Sequence, residues 1–416
     1  MIVVGGSYHE SVLIPDSEQF AGSGLRAAAA MPAGRCELVT AVDEAHTTDA
    51  DSAYATLGVS ARNVGRDQRV GFRYTTPMSS PVIDGPSAVL DTPLMADDGT
   101  VLMFGMVETG SRSIRADRLV FDPQQPRGLE AAALAGVEAD RLVVVGNARE
   151  IRALAEGEHD LQVAAARVAA ETDAVGVIVK DSARGCLVVD RASDRIVRVG
   201  AYPTRSVWPI GSGDVFAAGF THAWEGGATL AEAAAVGSAS AAWWCATRVF
   251  AVPPKILGGT DPSTIHPAIA SELPAADGQF DVYLASPFFS LAERWLVETC
   301  RNALSGMGIT VFSPFHDVGP GGDEVAGPDL DGLRDSNAVL AVVDGWDPGT
   351  IFEVGWARRH ELPVVGLITD IDNDGTKMLV GSGVELHQDL SSALYRAAWA
   401  AQGAALSPGR VRVQSQ

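Results

Sequence analysis

Short apolar runs of β type alternate with Ala-rich helical stretches along most of this chain, and that alternation limits the possible folds more than any other feature. In the first part the β-type runs cover residues 2–4, 101–104, 142–145, 175–179 and 186–189. Helical stretches cover residues 161–172 and 230–245. Strands and helices in turn bury their apolar faces as layers, which predicts an α/β architecture. A length of 416 residues allows two or three domains, each with its own core. Residues 253 to about 279 are rich in Pro, Gly, Ser and Asp and read as an inter-domain connection.

A second unit opens on the strand-like FDVYLA. A helix over residues 290–305 follows, then the strand ITVFSP, a Gly-rich loop over 317–327 and a short helix from Pro328. The strand AVLAVV, a helix over 350–359 and the strand PVVGLI complete the pattern. Short uninterrupted apolar strands belong to a parallel sheet covered on both faces. This unit is therefore read as a small doubly wound domain of about 120 residues, with ligands expected at the carboxyl ends of its strands.

Composition narrows the function classes. Apolar residues make up 47% and charged residues 20%, as in a globular protein. Lys and Arg number 31 against 52 Asp and Glu, a net charge of −21. That balance argues against a nucleic-acid polymer or an anionic membrane as partner. A small anionic ligand remains compatible, because backbone N–H groups can hold a phosphate. Cys36, Cys186, Cys245 and Cys300 form no CxxC pair and lie near no His cluster, which argues against a zinc site or a disulfide framework and fits the cytoplasm. The start lacks a basic segment followed by a long apolar run, and no stretch of about 18 apolar residues predicts a membrane span.

Two constellations carry chemistry. In WPIGSGDVFAAGF, Gly211, Ser212 and Gly213 precede an apolar helix and Asp214 sits at its start. Successive N–H groups opening a helix form an anion hole. Asp214 can take a proton from a hydroxyl while those groups hold a transferring phosphoryl group. The plainer alternative is a helix cap in which Asp214 satisfies free N–H groups. The stretch resembles the glycine-rich signature of the PfkB (ribokinase-like) sugar and nucleoside kinases, whose Asp is the catalytic base. Asn147-Ala148-Arg149-Glu150, after LVVVG, resembles that family's Asn-x-x-Glu motif, which implies that Asn147 and Glu150 organise magnesium and phosphate. VIVKDSARGCLVV resembles the strand–turn–strand before its nucleotide site. The resemblance covers most of residues 1–255 and implies ATP and Mg2+ as cofactors. Three departures stand out: Ser182 where a Gly is common, Arg26 where an Asn usually contacts sugar hydroxyls, and a shortened first half where the family carries its lid.

In the second unit Asp329 opens a helix, Asp347 follows the next strand and Glu353 sits early in the helix after it. Carboxylates sharing one pocket repel and titrate apart, so one can act as a nucleophile while another holds a proton. Cleavage of a glycosidic bond needs that pair. Tyr283, in the first strand, can orient the nucleophilic carboxylate. Each carboxylate alone also suits ordinary helix-start or turn chemistry. VYLASPFF and GPDLDGLRDSNAVLAVVDGWDPGTIFEVGWA resemble the nucleoside 2-deoxyribosyltransferase family over about 120 residues. The resemblance implies that Glu353 forms the covalent glycosyl intermediate, that Asp347 lies near sugar and base, that Asp329 serves the base or its protonation, and that Tyr283 is the family tyrosine. Asn337 stands where many members have an Asp. Ser286 and Arg294 are candidates for a nucleotide phosphate, with a solvated helix charge as the plainer reading of Arg294. His316 with Asp317, the pair Trp243 and Trp244, and His360 read as loop, core and helix-end residues.

The chain is thus expected to hold a ribokinase-like α/β domain (1–255), a linker (256–279), a smaller doubly wound deoxyribosyltransferase-like domain (280–403) and a tail (404–416). The expected function is cleavage or exchange of the N-glycosidic bond of a nucleoside or its monophosphate, fused to an ATP-dependent sugar or nucleoside kinase. No cofactor is expected in the second domain and no resident metal in either. The resemblance implies a homo-oligomer. The alternatives are a nucleotide sensor without turnover, or a glycosidic-bond enzyme whose degenerate kinase domain serves as scaffold.

Overall fold

The computed structural model describes residues 1–124, 134–274, 281–369 and 373–403. Its contacts divide the chain into two units, Met1–Tyr202 with Trp208–Ala275 and Pro203–Val207 with Ala276–Gln416. The expected tail and the last residues of the expected linker lie outside the described residues.

In the first unit a nine-stranded sheet runs β13 (Arg195–Val199), β12 (Cys186–Asp190), β11 (Gly176–Lys180), β10 (Val137–Asn147), β9 (Arg112–Asp122), β8 (Leu94–Phe104), β1 (Ile2–Val4), β4 (Glu37–Val42) and β5 (Ser60–Gly65). The pairings are parallel from β5 to β11 and antiparallel from β11 to β13. The helices are α1 (Ser23–Ala30), α2 (Thr47–Leu57), α3 (Ala148–Leu154), α4 (Leu161–Glu171), α5 (Ser212–Glu225), α6 (Leu230–Thr247) and α7 (Pro254–Leu257). The unbroken apolar run of β10 follows from cover on both faces. Val143 and Val145 join a core with Val215, Phe220 and Trp244 of α5 and α6, while Val144 joins another with Ile151, Leu161 and Val168 of α3 and α4.

The shortened first half departs from expectation. It builds a separate four-stranded sheet, in the order β3 (Ser17–Ala21), β2 (Tyr8–Val12), β6 (Gly71–Tyr74) and β7 (Val82–Asp84). The expected connection also packs onto this unit for most of its length: Ile256, Leu257 and Ile269 are buried, and Leu273 N–H donates to Ala201 O at 2.8 Å.

The second unit has a parallel sheet in the order β15 (Thr310–Phe312), β14 (Asp281–Ala285), β16 (Ala338–Val342), β17 (Val364–Leu367) and β18 (Glu385–His387). Its helices are α8 (Leu291–Gly306), α9 (Ala326–Asp335), α10 (Pro348–Arg359), α11 (Asn373–Gly381) and α12 (Leu390–Ala401). Ser290 and Glu293 cap α8 reciprocally, which explains why the helix begins where it does. The chain leaves β14 to one side and returns to the other at β16. In doubly wound sheets that reversal opens the crevice where ligands bind. Among the described residues no helix of either unit is long and apolar enough to cross a membrane.

Candidate active sites

At the crevice of the second unit, Tyr283 lies on β14 with its side chain buried. Its hydroxyl donates to Glu353 Oε1 at 2.6 Å. The ring stacks on Phe312, centroids 5.4 Å apart and 13° from parallel. Gly332 makes room for that stack, because a Cβ there would stand 2.3 Å from the Phe312 ring. The glycine of the motif Asp-Leu-x-Gly-Leu thus holds the tyrosine indirectly.

Glu353, in the second turn of α10, is half-buried. Burial pushes its carboxyl up to about 7, with the charges of Asp329 and Asp347 adding and the Tyr283 hydroxyl opposing. Burial raises Asp329 as well, and its Oδ1 is buried without a hydrogen-bond partner. Asp347 caps α10, its Oδ2 accepting from Thr350 N–H at 2.7 Å and Thr350 Oγ1 at 3.0 Å. The four residues predicted from sequence therefore come together, three as interacting carboxyl groups and one as a fixed donor.

The neighbouring candidates resolve into local structure. Asn337 Oδ1 accepts from Asp281 N–H at 2.8 Å. Ser286 Oγ donates to Pro287 O, and Arg294 Nε donates to Phe288 O while its guanidinium lies 5.4 Å over Phe315. His316 bridges Glu298 and Ser313, and Asp317 accepts from Ser313 N–H. His360 lies against Trp356, and the indoles of Trp243 and Trp244 donate to Ala251 O and Ile210 O.

In the first unit a cavity of about 360 Å³ is lined by Asn147, Glu150, Lys180, Gly211, Gly213 and Asp214, with Tyr8, Glu10, Phe72 and Tyr74 of the four-stranded sheet across from them. Gly211 has φ +85°, and a Cβ on it would strike the Arg26 side chain at 2.2 Å, so the position requires glycine. Ser212 hydrogen-bonds Pro209 O through both N–H and Oγ. Asn147 and Glu150 cap α3 reciprocally, at 2.7 and 2.9 Å. Asp214 lies in the first turn of α5, whose N-cap is Gly211. Its Oδ2 accepts from Arg26 Nη1 at 2.5 Å and its Oδ1 from Gln124 Nε2 at 2.6 Å. Arg26 is buried and also donates to Glu10. Burial alone would lower the pKa of this guanidinium, but Glu10 and Asp214 raise it.

Sequence reasoning did not select Asp122 or Lys180. They end β9 and β11, neighbours of β10, and pair at 2.6 Å. Burial pushes the Asp122 carboxyl up against the attraction of Lys180, and its Oδ1 has no hydrogen-bond partner. Burial would lower Lys180, but Asp122, Glu150 and Asp214 raise it. The rule that ligands gather at strand carboxyl ends, applied to this sheet too, points to both residues.

Comparison with known proteins follows this division. Residues 110–249 match the family model of pfkB family carbohydrate kinases. Residues 282–389 match that of nucleoside 2-deoxyribosyltransferases. The chain therefore carries a domain of each kind, in that order. No curated protein matches the chain. Among solved structures, ribokinase from Giardia lamblia is 16% identical, covers 62% of this chain and 98% of its own, and has a TM-score of 0.48. Ribokinase from Thermotoga maritima is 18% identical over 62% of this chain and 97% of its own, at 0.45. Phosphofructokinase-2 from Escherichia coli, in complex with substrates and products, is 16% identical over 62% and 98%, at 0.45.

Proposed function

We propose that the second unit cleaves or exchanges the N-glycosidic bond of a nucleoside or nucleoside monophosphate, and that residues 280–403 form this domain. The observation that carries the reading is the 2.6 Å bond from the buried Tyr283 hydroxyl to Glu353, beside Asp329 and Asp347. Glu353 attacks C1′ of the pentose, so a carbon–oxygen bond forms as the bond to the base nitrogen breaks. Tyr283 fixes the carboxylate in position. Asp329, held protonated to higher pH by burial, gives its proton to the departing base. Another base or a water molecule then takes the glycosyl group from Glu353.

The test is incubation with nucleosides and their monophosphates, with and without a second free base. Release of free base without an acceptor identifies hydrolysis, and a new nucleoside formed only with an acceptor identifies transfer. No base release from the wild type across the panel overturns the proposal, as does base release that survives Glu353→Gln.

For the first unit, over residues 1–255, the reading is an ATP-dependent kinase acting on a sugar or nucleoside. The residues fit MgATP at its phosphate end. Lys180 beside Gly213 supplies a cation, and the unpartnered Asp122 oxygen and Glu150 are hard oxygen donors. Bound there, MgATP would supply the phosphoryl group. Asp214 would accept the substrate hydroxyl proton, and the backbone from Gly211 to Gly213 would hold the transferring group. A specific observation favours a second reading, a degenerate kinase domain serving as scaffold: Arg26 and Gln124 already occupy both oxygens of Asp214. ATP consumption that requires a sugar or nucleoside and disappears in Asp214→Asn supports the kinase. Its absence across a broad panel supports the scaffold. The reading further includes a cytoplasmic homo-oligomer, which light scattering of the purified chain tests for its oligomeric part.

A further inference from the structure

A cluster outside both sites has the chemistry of a metal centre. His9 lies on β2 of the four-stranded sheet, His46 precedes α2, and Asp49 lies in the first turn of α2. Each offers one ligand atom, and the three atoms lie within 4.8 Å of one another. His9 Nε2 stands 3.8 Å from Asp49 Oδ2. Ligand atoms around a tetrahedral zinc lie about 3.3 Å apart, so small rotations of these side chains would close the set. His9 Nε2 is itself buried with no hydrogen-bond partner, which leaves its lone pair or proton unsatisfied.

The surroundings already orient a ligand. His46 Nδ1 meets Asp43 Oδ1 at 2.5 Å, and Asp43 is held in turn by Arg66 at 3.3 Å. A carboxylate on one imidazole nitrogen fixes the tautomer and directs the other nitrogen to a metal. His46 also lines a cavity of about 1030 Å³. Two imidazoles and one carboxylate suit a divalent cation of the zinc class rather than magnesium or calcium.

We propose that His9, His46 and Asp49 bind a divalent transition-metal ion such as zinc, and that the ion pins β2 to the start of α2. None of the three ligands is among the residues named for the proposed reactions. The cysteine pattern gave no sign of it, because its ligands lie 37 and 3 residues apart along the chain and meet only when β2 packs beside α2.

The test uses the full chain, stripped with chelator and titrated with Zn2+ by calorimetry and with Co2+ by visible absorption. The expected result is one ion per chain, a tetrahedral cobalt spectrum and a rise in Tm on adding zinc. His9→Ala and Asp49→Asn should each weaken binding about tenfold or more and remove the Tm rise. Asp49 is exposed, so its variant keeps the fold if His9→Ala does not. No binding by the wild type overturns the proposal. So does binding that Asp49→Asn leaves unchanged, which would mark an adventitious ion only.

Discussion

At the residue scale, Glu353 couples activity to pH. Its folded carboxyl titrates near 7 because burial disfavours the charge, yet attack on C1′ requires the ionised form. Base release should therefore rise on the acid side as Glu353 ionises and fall on the alkaline side as Asp329 loses the proton it gives to the base, read from the pH profile of kcat/KM. Tyr283 donates to the ionised form, so Tyr283→Phe should move the acid limb to higher pH. It should also lower the maximum roughly tenfold to hundredfold, the value of one hydrogen bond to a charged group. An unmoved limb would mean that another group titrates. The same shift governs stability. A carboxyl raised in the folded state contributes fully below its unfolded pKa, and that contribution is lost as pH rises from there through about 7. Glu353→Gln should consequently be more stable than wild type above pH 7, by on the order of 2 kcal/mol after allowance for partial exposure, and equal near pH 4. Urea unfolding at the two pH values measures it.

At the element scale, legibility in the sequence followed apolar patterning. Strands β10, β11, β14 and β16 read directly because each carries a run of buried, mostly apolar residues covered on both faces. The four-stranded sheet escaped notice because YHESV, SEQFA, GFRY and VID carry polar residues and are partly exposed, so no apolar run marks them. The carboxylates of the second unit were legible because short turns place them at one sheet edge. The ion pair of Arg26 with Asp214 was not, since 188 residues separate the partners and only the packing of α1 beside α5 joins them. That pair predicts a large effect. Arg26→Met strands two buried carboxylates, Glu10 and Asp214, and should cost about 3–5 kcal/mol in urea unfolding. Adding Glu10→Gln should recover part of the loss, and additive losses would contradict the coupling. In the second unit, Gly332→Ala places a methyl group in the Phe312 ring and should cost about 1–3 kcal/mol. Because Phe312 carries Tyr283, kcat for base release should fall further than a distant variant of equal stability would show.

At the scale of the whole molecule, each proposed site is built from one unit alone: Asp122, Asn147, Lys180 and Asp214 in the first, and Tyr283, Asp329, Asp347 and Glu353 in the second. No side chain is shared, so the two chemistries should separate by mutation. Fusion matters only if one unit makes what the other uses, since a tether raises local concentration without any new contact. Hydrolysis at C1′ releases a free pentose, the class of substrate the first unit is proposed to phosphorylate. With ATP and a nucleoside supplied together, the wild type should form a sugar phosphate and free base. Glu353→Gln should form neither from the nucleoside, yet should still phosphorylate the free pentose at the wild-type rate. Asp214→Asn should release base normally and leave the pentose unphosphorylated. Mass spectrometry of the products distinguishes these outcomes. A phosphorylated nucleoside formed equally by wild type and Glu353→Gln would show that the kinase acts on the intact nucleoside, and the order of the two reactions would then be reversed.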